Sequence, residues 1–260
     1  MDKTTIVKSE AVGAFDARVP LRFPREMVIV LLAIAVLWEI VSWRVSPFVV
    51  PGWERIFQSL VSLRVDFVLI TLARVAAALL ISFVLGILLS LMMYLWSPFE
   101  NYFRPVVRLF MAVPVVCWIL FSVLWFKWVE LRIAFVLIVV CAPVFIVDLL
   151  DGMKGVPHEW RDMLRSFRPS RLQFVTKLLL PATVPVILTS WKINLSLAIR
   201  VVTMAELVGA ISGIGYGLVI AQELFSVADV FAWTLVLVVI LFIAEAILTR
   251  IEERMLRWRT

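Results

Sequence analysis

The sequence predicts an all-α, polytopic membrane protein with six transmembrane helices in one domain, and three observations predict it. Hydrophobic residues make up 63% of the 260 residues and the mean hydropathy is +1.04, whereas soluble domains are about 45 to 50% apolar. Six apolar stretches approach the roughly 20 residues that a helix needs to cross a bilayer. Lys and Arg are concentrated on alternate connecting segments, as the positive-inside rule predicts for a membrane protein.

The apolar stretches are assigned to helices because a backbone inside a bilayer must satisfy its hydrogen bonds within the segment. Their length excludes the shorter, alternating strands of an outer-membrane barrel. The predicted spans are residues 27–43, 67–96, 105–126, 133–150, 182–206 and 230–248. The second span is longer than a perpendicular crossing needs, so we expect it to tilt or to project from the membrane.

Charge gives the expected orientation. A cytoplasmic N terminus places 17 of the 25 Lys and Arg residues on cytoplasmic segments, five on external segments and three inside spans. The prediction is therefore a cytoplasmic tail at 1–26, a membrane domain at 27–250 and a cytoplasmic tail at 251–260, with both termini inside. Because the positive charge follows the topology, nucleic acid is not an expected partner.

Two connecting segments are predicted to form short helices. In the first external loop, Pro47, Pro51 and Gly52 interrupt the backbone before an amphipathic stretch at 54–63 that favours a surface helix. The segment at about 151–181 is the one sizeable cytoplasmic connection, and it predicts two helices separated by a break at 168–170. A helix-turn-helix elbow at the cytoplasmic surface is expected.

The ends of the elbow helices follow from local patterns. Pro157 suits the first turn of a helix. Ser170, followed at the third position by Gln173, is a capping-box pattern that opens a second helix, expected to continue to Pro181.

A polar stripe runs along the fifth span. Lys192, Ser196, Arg200 and Thr203 follow one another at spacings of 4, 4 and 3 residues, which places them within an arc of about 80° on a helix. One interpretation is a translocation path whose two cations attract an anionic solute. The other is structural, with the cations paired to carboxylates such as Glu39 or reaching the membrane surface.

Catalytic and metal chemistry are not expected of this chain. The sequence has a single histidine, His158, so neither a histidine metal cage nor a Ser/His/Asp site in the membrane is available. Cys117 and Cys141 both lie in apolar spans without a ligand-like spacing. No P-loop pattern occurs, so the chain is not expected to hydrolyse ATP.

The elbow resembles the signature loop of binding-protein-dependent ABC importer permeases, which reads Glu-Ala-Ala, three residues, Gly, nine residues, Ile, one residue, Leu-Pro. Here 162–164 stand for the first triplet, Arg168 for the glycine and Leu178 for the isoleucine. Leu180 and Pro181 are identical to the signature. The spacing is kept throughout.

A second stretch resembles the subgroup of these permeases that handles nitrate, taurine and aliphatic sulfonates. It runs AlaGluLeuValGlyAlaIleSerGlyIleGlyTyr over 205–216, and ThrLeuAlaArgValAla at 71–76 also matches the subgroup. The resemblance covers about residue 30 to the C terminus. It implies a gate region at the external side that contains Glu206, Gly209, Gly213, Gly215 and Tyr216.

The resemblance implies the fold of a type I ABC importer permease in a bacterial inner membrane, importing a small solute by alternating access. An anion such as nitrate, a sulfonate or taurine is the expected solute. The implied partners are two ABC ATPase subunits that bind ATP and Mg, a second permease copy or paralogue, a periplasmic or lipid-anchored solute-binding protein, and the lipid bilayer. The elbow would dock in a cleft of the ATPase through residues that include Arg161, Asp162, Arg165, Ser166, Phe167 and Arg168.

Arg168 departs from the family pattern, because glycine tolerates left-handed backbone angles that arginine adopts at a cost. Three readings stay open: a partner ATPase with a matching cleft, a second permease that carries the regular motif, or a weaker coupling role. A secondary transporter is the rival from another class, and it predicts internal repeats and discontinuous helices. The sequence shows no convincing repeat.

Overall fold

The chain is helical throughout the part that the structure, a computed structural model, describes, which is residues 25–46 and 48–256. This part contains eleven α-helices, one π-helical turn and no strand. The helices are α1 (Arg25–Arg44), α2 (Trp53–Ser62), α3 (Val65–Leu95), α4 (Ser97–Ala112), α5 (Val115–Trp125), α6 (Val129–Lys154), α7 (His158–Ser166), α8 (Arg171–Phe174), α9 (Leu180–Leu207), α10 (Ile214–Glu223) and α11 (Val227–Met255). The prediction of an all-α fold is confirmed.

Within residues 25–46 and 48–256, four elements are long and apolar enough to cross a membrane: α3, α6, the continuous helix Arg171–Leu207 and α11. They correspond to the predicted second, fourth, fifth and sixth spans. A fifth span results if the bent pair α4 and α5 crosses as one unit. Helix α1 forms where the first span was predicted but is not among the four, so the count of six is not fully confirmed.

The third predicted span, 105–126, is not a continuous helix. The chain bends by 93° between α4 and α5, and Val113 between them has an extended conformation with ψ 126°. Pro114 explains the break, because the ring of a proline disfavours helical angles in the residue before it. The broken pair is the main correction to the predicted topology.

The elbow forms as α7 and α8, with one difference from the prediction. The capping box is present: Ser170 Oγ accepts from the Gln173 amide at 3.2 Å, and Gln173 Oε1 accepts from the Ser170 amide at 2.9 Å. The second elbow helix does not end at Pro181, however. It passes through a π turn at Val175–Leu179 and continues as α9.

The π turn explains why Pro181 does not interrupt this helix. The amide of Leu180 bonds to the carbonyl of Val175, five residues back. Pro181 follows with no N–H to place, and a π turn is a usual way to absorb such a local mismatch in a helix. The elbow and the fifth span are therefore one element of 37 residues.

Helix α6 occupies the centre of the fold and packs against α3 on one side and α9 on the other. Val136, Leu137, Phe145 and Leu149 of α6 are fully buried in this core. A Cβ at Gly86 of α3 would lie 2.6 Å from the Cβ of Phe145, so glycine is what lets these two helices approach so closely. Both cysteines are free thiols.

The surface helix predicted after the first span is confirmed as α2. Glu39, considered above as a partner for the cations of the fifth span, instead accepts from the amide of Trp53 at the start of α2, at 3.1 Å. Trp38 Nε1 also donates to the carbonyl of Pro51 at 3.0 Å. These bonds attach α1 to the following loop.

The predicted tails fall largely outside the described residues, which omit 1–24 and 257–260. The exception is the start of the C-terminal tail. Helix α11 continues to Met255, so residues 251–255 extend the helix of the last predicted span.

Candidate functional site

Three of the four residues in the predicted polar stripe line one cavity. Lys192, Ser196 and Arg200 of α9 share a cavity of about 440 Å³ with Glu245 of α11. Thr203 does not line it: the side chain is buried, and its Oγ1 donates to the carbonyl of Ile199 at 2.8 Å. The groove between α9 and α11 is thus shorter than the stripe that the spacing predicts.

Lys192 is paired. Its ammonium group contacts the carboxylate of Glu252, and both side chains are about a quarter exposed, at 27% and 21%. The pairing interpretation is therefore realised, although with Glu252 rather than Glu39. Arg200 Nη2 donates to Ser196 Oγ at 3.1 Å, one helical turn away.

A larger cavity, about 1130 Å³, adjoins this groove at the end nearer the elbow. Carboxylates of α6 and α11 line it, together with Thr189 and Ser190 of α9. Asp148 is half-buried at its edge and accepts from Ser190 Oγ at 2.7 Å. The fully buried Asn194 in turn donates to the carbonyl of Ser190 at 3.0 Å.

At the far end of α9, Glu206 is completely buried and fully engaged. One carboxylate oxygen accepts from Arg74 Nη1 at 2.7 Å, and the other accepts from the amide of Gly215 at 2.8 Å. Thr71 Oγ1 lies 2.9 Å and 3.0 Å from the two oxygens and also accepts from the amide of Ile214. Buried charge is tolerated when paired and hydrogen-bonded in this way.

Arg74 extends the network to a third helix. Its Nε and Nη2 bind the carboxylate of Glu130, at the start of α6, at 2.8 Å and 2.5 Å. It also donates to the carbonyl and the hydroxyl of Ser212, at 2.8 Å and 3.1 Å. One guanidinium therefore holds together α3, α6, α9 and the turn that follows α9.

Two glycines of the predicted gate region are required by this network. Gly213 has φ +107°, and a Cβ at this position would overlap the carboxylate of Glu206. A Cβ at Gly215 would lie 2.5 Å from the Thr203 carbonyl. Gly209 also has a left-handed backbone, with φ +104°, but a Cβ there would make only an ordinary contact, 3.8 Å from Arg132 Nη1.

Tyr216, the last residue of the predicted gate region, packs edge-on against Phe67 with ring centroids 5.8 Å apart. The structure therefore gathers this region around α3. The sequence analysis predicted Glu206 as a gate residue and included Arg74 only in the stretch 71–76 that matches the subgroup, and it missed Glu130 and Ser212. A buried arginine at membrane depth requires anionic partners, so the position of Arg74 in a span was the signal that could have pointed to a second carboxylate such as Glu130.

On the elbow, the residues expected to couple to an ATPase divide into two groups. Arg161 turns inward: its Nη2 donates to the carbonyl of Lys154 at 2.5 Å, and its guanidinium lies 6.0 Å from the ring centroid of Tyr94. Arg161 therefore anchors α7 to the end of α6. Asp162 and Arg165 face outward, 3.7 Å apart and about 70% exposed.

The outer face of α7 also carries apolar side chains without cover. Trp160, Met163 and Phe167 are 50%, 62% and 78% exposed, and their spacing of three and four residues puts them on one side of the helix. Ser166 donates back to the carbonyl of Asp162 at 3.1 Å. Trp160 and Met163 were not among the predicted coupling residues.

Arg168 has a left-handed backbone, with φ +48°. The turn thus keeps the sign of φ that a glycine at this position adopts without strain, and arginine adopts it at a cost of about 1–2 kcal/mol. The side chain is exposed. Phe167 and Arg168 form the tip between α7 and α8.

Long apolar helices, an ionisable groove between two of them and an exposed elbow define the class of polytopic membrane transport proteins. The chain belongs to the family of binding-protein-dependent transport system inner membrane components, whose sequence profile matches residues 82–257. It is an ABC transporter permease of the type that includes nitrate, sulfonate and taurine permeases.

Individual relatives cover most of the chain. The formylaminopyrimidine transport permease protein of Halalkalibacterium halodurans is 27% identical over 88% of this chain and 93% of its own length. The taurine transport system permease protein of Escherichia coli is 26% identical over 86% of each chain.

A solved structure shares the fold. The methionine ABC transporter MetNI, in an inward-facing conformation, aligns with a TM-score of 0.65 over 71% of this chain and 92% of its own, at 18% identity. The sequence profile confirms the predicted family, and this structural likeness supports the predicted fold.

Proposed function

We propose that the chain is the permease subunit of an ATP-binding-cassette importer and carries a small solute along the groove between α9 and α11 by alternating access. The observation that carries this proposal is the placement of Lys192, Arg200 and Glu245 in an open groove beside long apolar helices. Ionisable side chains at membrane depth face a water-filled path or the interior of a bundle rather than lipid.

The outward face of α7 supports a docking role for the elbow. Its exposed apolar side chains, Trp160, Met163 and Phe167, lie on one side of the helix, and the exposed Asp162 and Arg165 lie on another side of the same helix. Apolar anchors with a charged rim are the usual composition of a protein interface. The proposed occupants are two ABC ATPase subunits, which would bind ATP and Mg because this chain has no P-loop.

The continuous helix Arg171–Leu207 supplies a mechanical link. With 37 residues, it spans about 55 Å at a rise of 1.5 Å per residue. It begins beside the tip of the elbow, at Arg171, and ends at Leu207, one residue after Glu206. A displacement of the elbow by the ATPases would therefore reach the ion network as movement of one rigid element.

The network of Glu206, Arg74 and Glu130, with the glycine turn around it, is proposed as the outer gate in its closed state. It joins α3, α6 and α9 at the end opposite the elbow. Opening would separate charged partners, and water entering the path would solvate them. The proposed orientation has the elbow and both termini in the cytoplasm and the network outside.

A second permease copy or paralogue would cover the open side of the groove, and an external binding protein would deliver the solute. The expectation of an anion relied on free charge at Lys192 and Arg200. Since Lys192 is paired with Glu252, that expectation now rests on Arg200.

Affinity capture tests the proposal. The tagged chain, purified from membranes of its own organism, is expected to bring with it an ABC ATPase, and the Phe167→Asp variant should lose most of it. Glu54→Gln, on the exposed surface of α2, serves as the matched control and should retain the ATPase. Reproducible absence of an ATPase from the wild-type sample would favour a secondary transporter, and a second permease in the sample would identify a heterodimer.

A further inference from the structure

The cations of the groove do not create a positive path. The charge of Lys192 is offset by Glu252, which contacts it directly. Arg200 shares its cavity with the carboxylate of Glu245. An anionic solute would have to compete with Glu252 for Lys192, and near Arg200 it would meet the carboxylate of Glu245 in the same cavity.

The larger cavity is lined by acidic side chains and not by basic ones. Asp148, Asp151 and Glu252 line it, and no Lys or Arg is present among its described lining residues. Asp151 accepts from Arg104 at 2.9 Å, and Glu252 is occupied by Lys192. Asp148 is different, because no cation of the described chain lies within ion-pair distance of it.

Asp148 is nevertheless held in place. Ser190 Oγ donates to one of its oxygens at 2.7 Å, and Ser190 itself is 1% exposed. The fully buried Asn194 donates to the backbone of Ser190. A carboxylate has about four lone-pair sites, so this oriented group keeps acceptor capacity beyond the bond to Ser190.

We propose that the transported solute carries a basic nitrogen and no net negative charge, and that Asp148 binds this nitrogen in the cavity nearer the elbow. The proposal rests on the proposed function, since it takes the groove and its cavity as the path. An N–H cation gains a charge-assisted hydrogen bond to the carboxylate. A nitrate or sulfonate group would face a like charge there, with no free cation to offset it.

The test uses the full permease purified together with the ATPase it captures, and three probes that share a ring and differ in charge. Benzylamine is cationic at neutral pH, benzyl alcohol is neutral and benzenesulfonate is anionic. Binding of each is measured by saturation-transfer NMR. We expect saturable binding of benzylamine that weakens about tenfold in Asp148→Asn, the effect typical of losing a hydrogen bond to a charged group.

Companion variants separate charge from folding. Asp148→Glu keeps the charge and should keep the preference for benzylamine, while Glu54→Gln should behave as wild type. Binding of benzyl alcohol should be equal in all variants. Saturable binding of benzenesulfonate in preference to benzylamine, or benzylamine affinity that is unchanged in Asp148→Asn, would overturn the proposal.

This inference and the proposed function fail separately. A chain that captures no ATPase fails as an ABC permease, whichever probe it binds. A chain that captures its ATPase and prefers benzenesulfonate remains a permease, and only the assignment of a basic solute is lost.

Discussion

Arg74 donates to Glu206 over 2.7 Å and so joins two helices whose residues lie 132 positions apart in the sequence. Glu206 is fully buried, and Arg74 is 8% exposed. Buried surroundings of low polarizability solvate a charge poorly. The pair is therefore sensitive to substitution, because removal of one partner leaves an uncompensated charge. Together with Glu130, the pair forms a cluster of ion pairs that joins α3, α6 and α9.

Replacing Arg74 by methionine is expected to destabilise the protein by about 3–5 kcal/mol, because Glu206 then remains charged and buried. Glu206→Gln should cost less, since Arg74 keeps its bonds to Glu130 and Ser212. Thermal unfolding in detergent measures both. Arg64→Met is the control: Arg64 lies one residue before α3 and makes an exposed ion pair with Asp66, which contributes little to stability, so its loss should shift the midpoint much less than the loss of Arg74. Equal shifts for Arg64→Met and Arg74→Met would contradict the role of the network.

The glycines of the outer turn should tolerate alanine to different degrees. Gly213→Ala combines a left-handed backbone with overlap on Glu206, whereas Gly209→Ala meets only the backbone strain. Strain of this kind costs about 1–2 kcal/mol, and the overlap adds to it at Gly213. We expect the folded yield to be highest for Gly52→Ala, lower for Gly209→Ala and lowest for Gly213→Ala. Gly52 is the control because its φ is −69° and its surroundings are open to a Cβ.

Arg168→Gly should stabilise the elbow by about 1 kcal/mol, because glycine adopts the left-handed backbone without a Cβ clash. Arg171→Gly is the matched control: it removes a nearby arginine from the first turn of α8 and should destabilise. Unfolding midpoints of the two variants are compared with wild type. Solute-stimulated ATP hydrolysis by the assembled complex then shows whether Arg168 also contributes to coupling, and a loss without loss of stability would place its side chain in the ATPase interface.

The pair of Lys192 and Glu252 is suited to a double-mutant cycle. Lys192→Ala leaves Glu252 without its cation, and the double variant with Glu252→Gln should recover part of the lost stability, with a coupling of about 1 kcal/mol for a partly exposed pair. Transport by reconstituted complexes is the second readout. Normal transport by Lys192→Ala would exclude Lys192 from the path, whatever the stability shows.

The helical spans were predictable because their signal is local. A stretch of some 20 apolar residues is a helix in a membrane whatever surrounds it, and four of the predicted spans correspond to long helices in the structure. The bend between Val113 and Pro114 also has a local cause that the sequence contains. Length and hydropathy alone do not reveal this bend, because they do not include the restriction that a proline places on the residue before it.

The elbow also combines a feature with a local cause and a feature that depends on tertiary packing. Capping by Ser170 and Gln173 depends on residues three positions apart and was predicted correctly. The continuity of α8 with α9 was not, because a π turn depends on how the helix packs against α7 and the end of α6, where Val175 and Leu179 are buried.

The sequence by itself determined the helices, the family and the list of ionisable residues that the membrane must accommodate. Only the tertiary structure decided which of them meet: Arg74 with Glu206 and Glu130, Lys192 with Glu252, and Asp148 with Ser190 but with no cation of the described chain. The reason is physical. Hydropathy and helix capping act within a few residues, whereas the partner of a buried charge is set by the packing of helices that lie far apart in the chain.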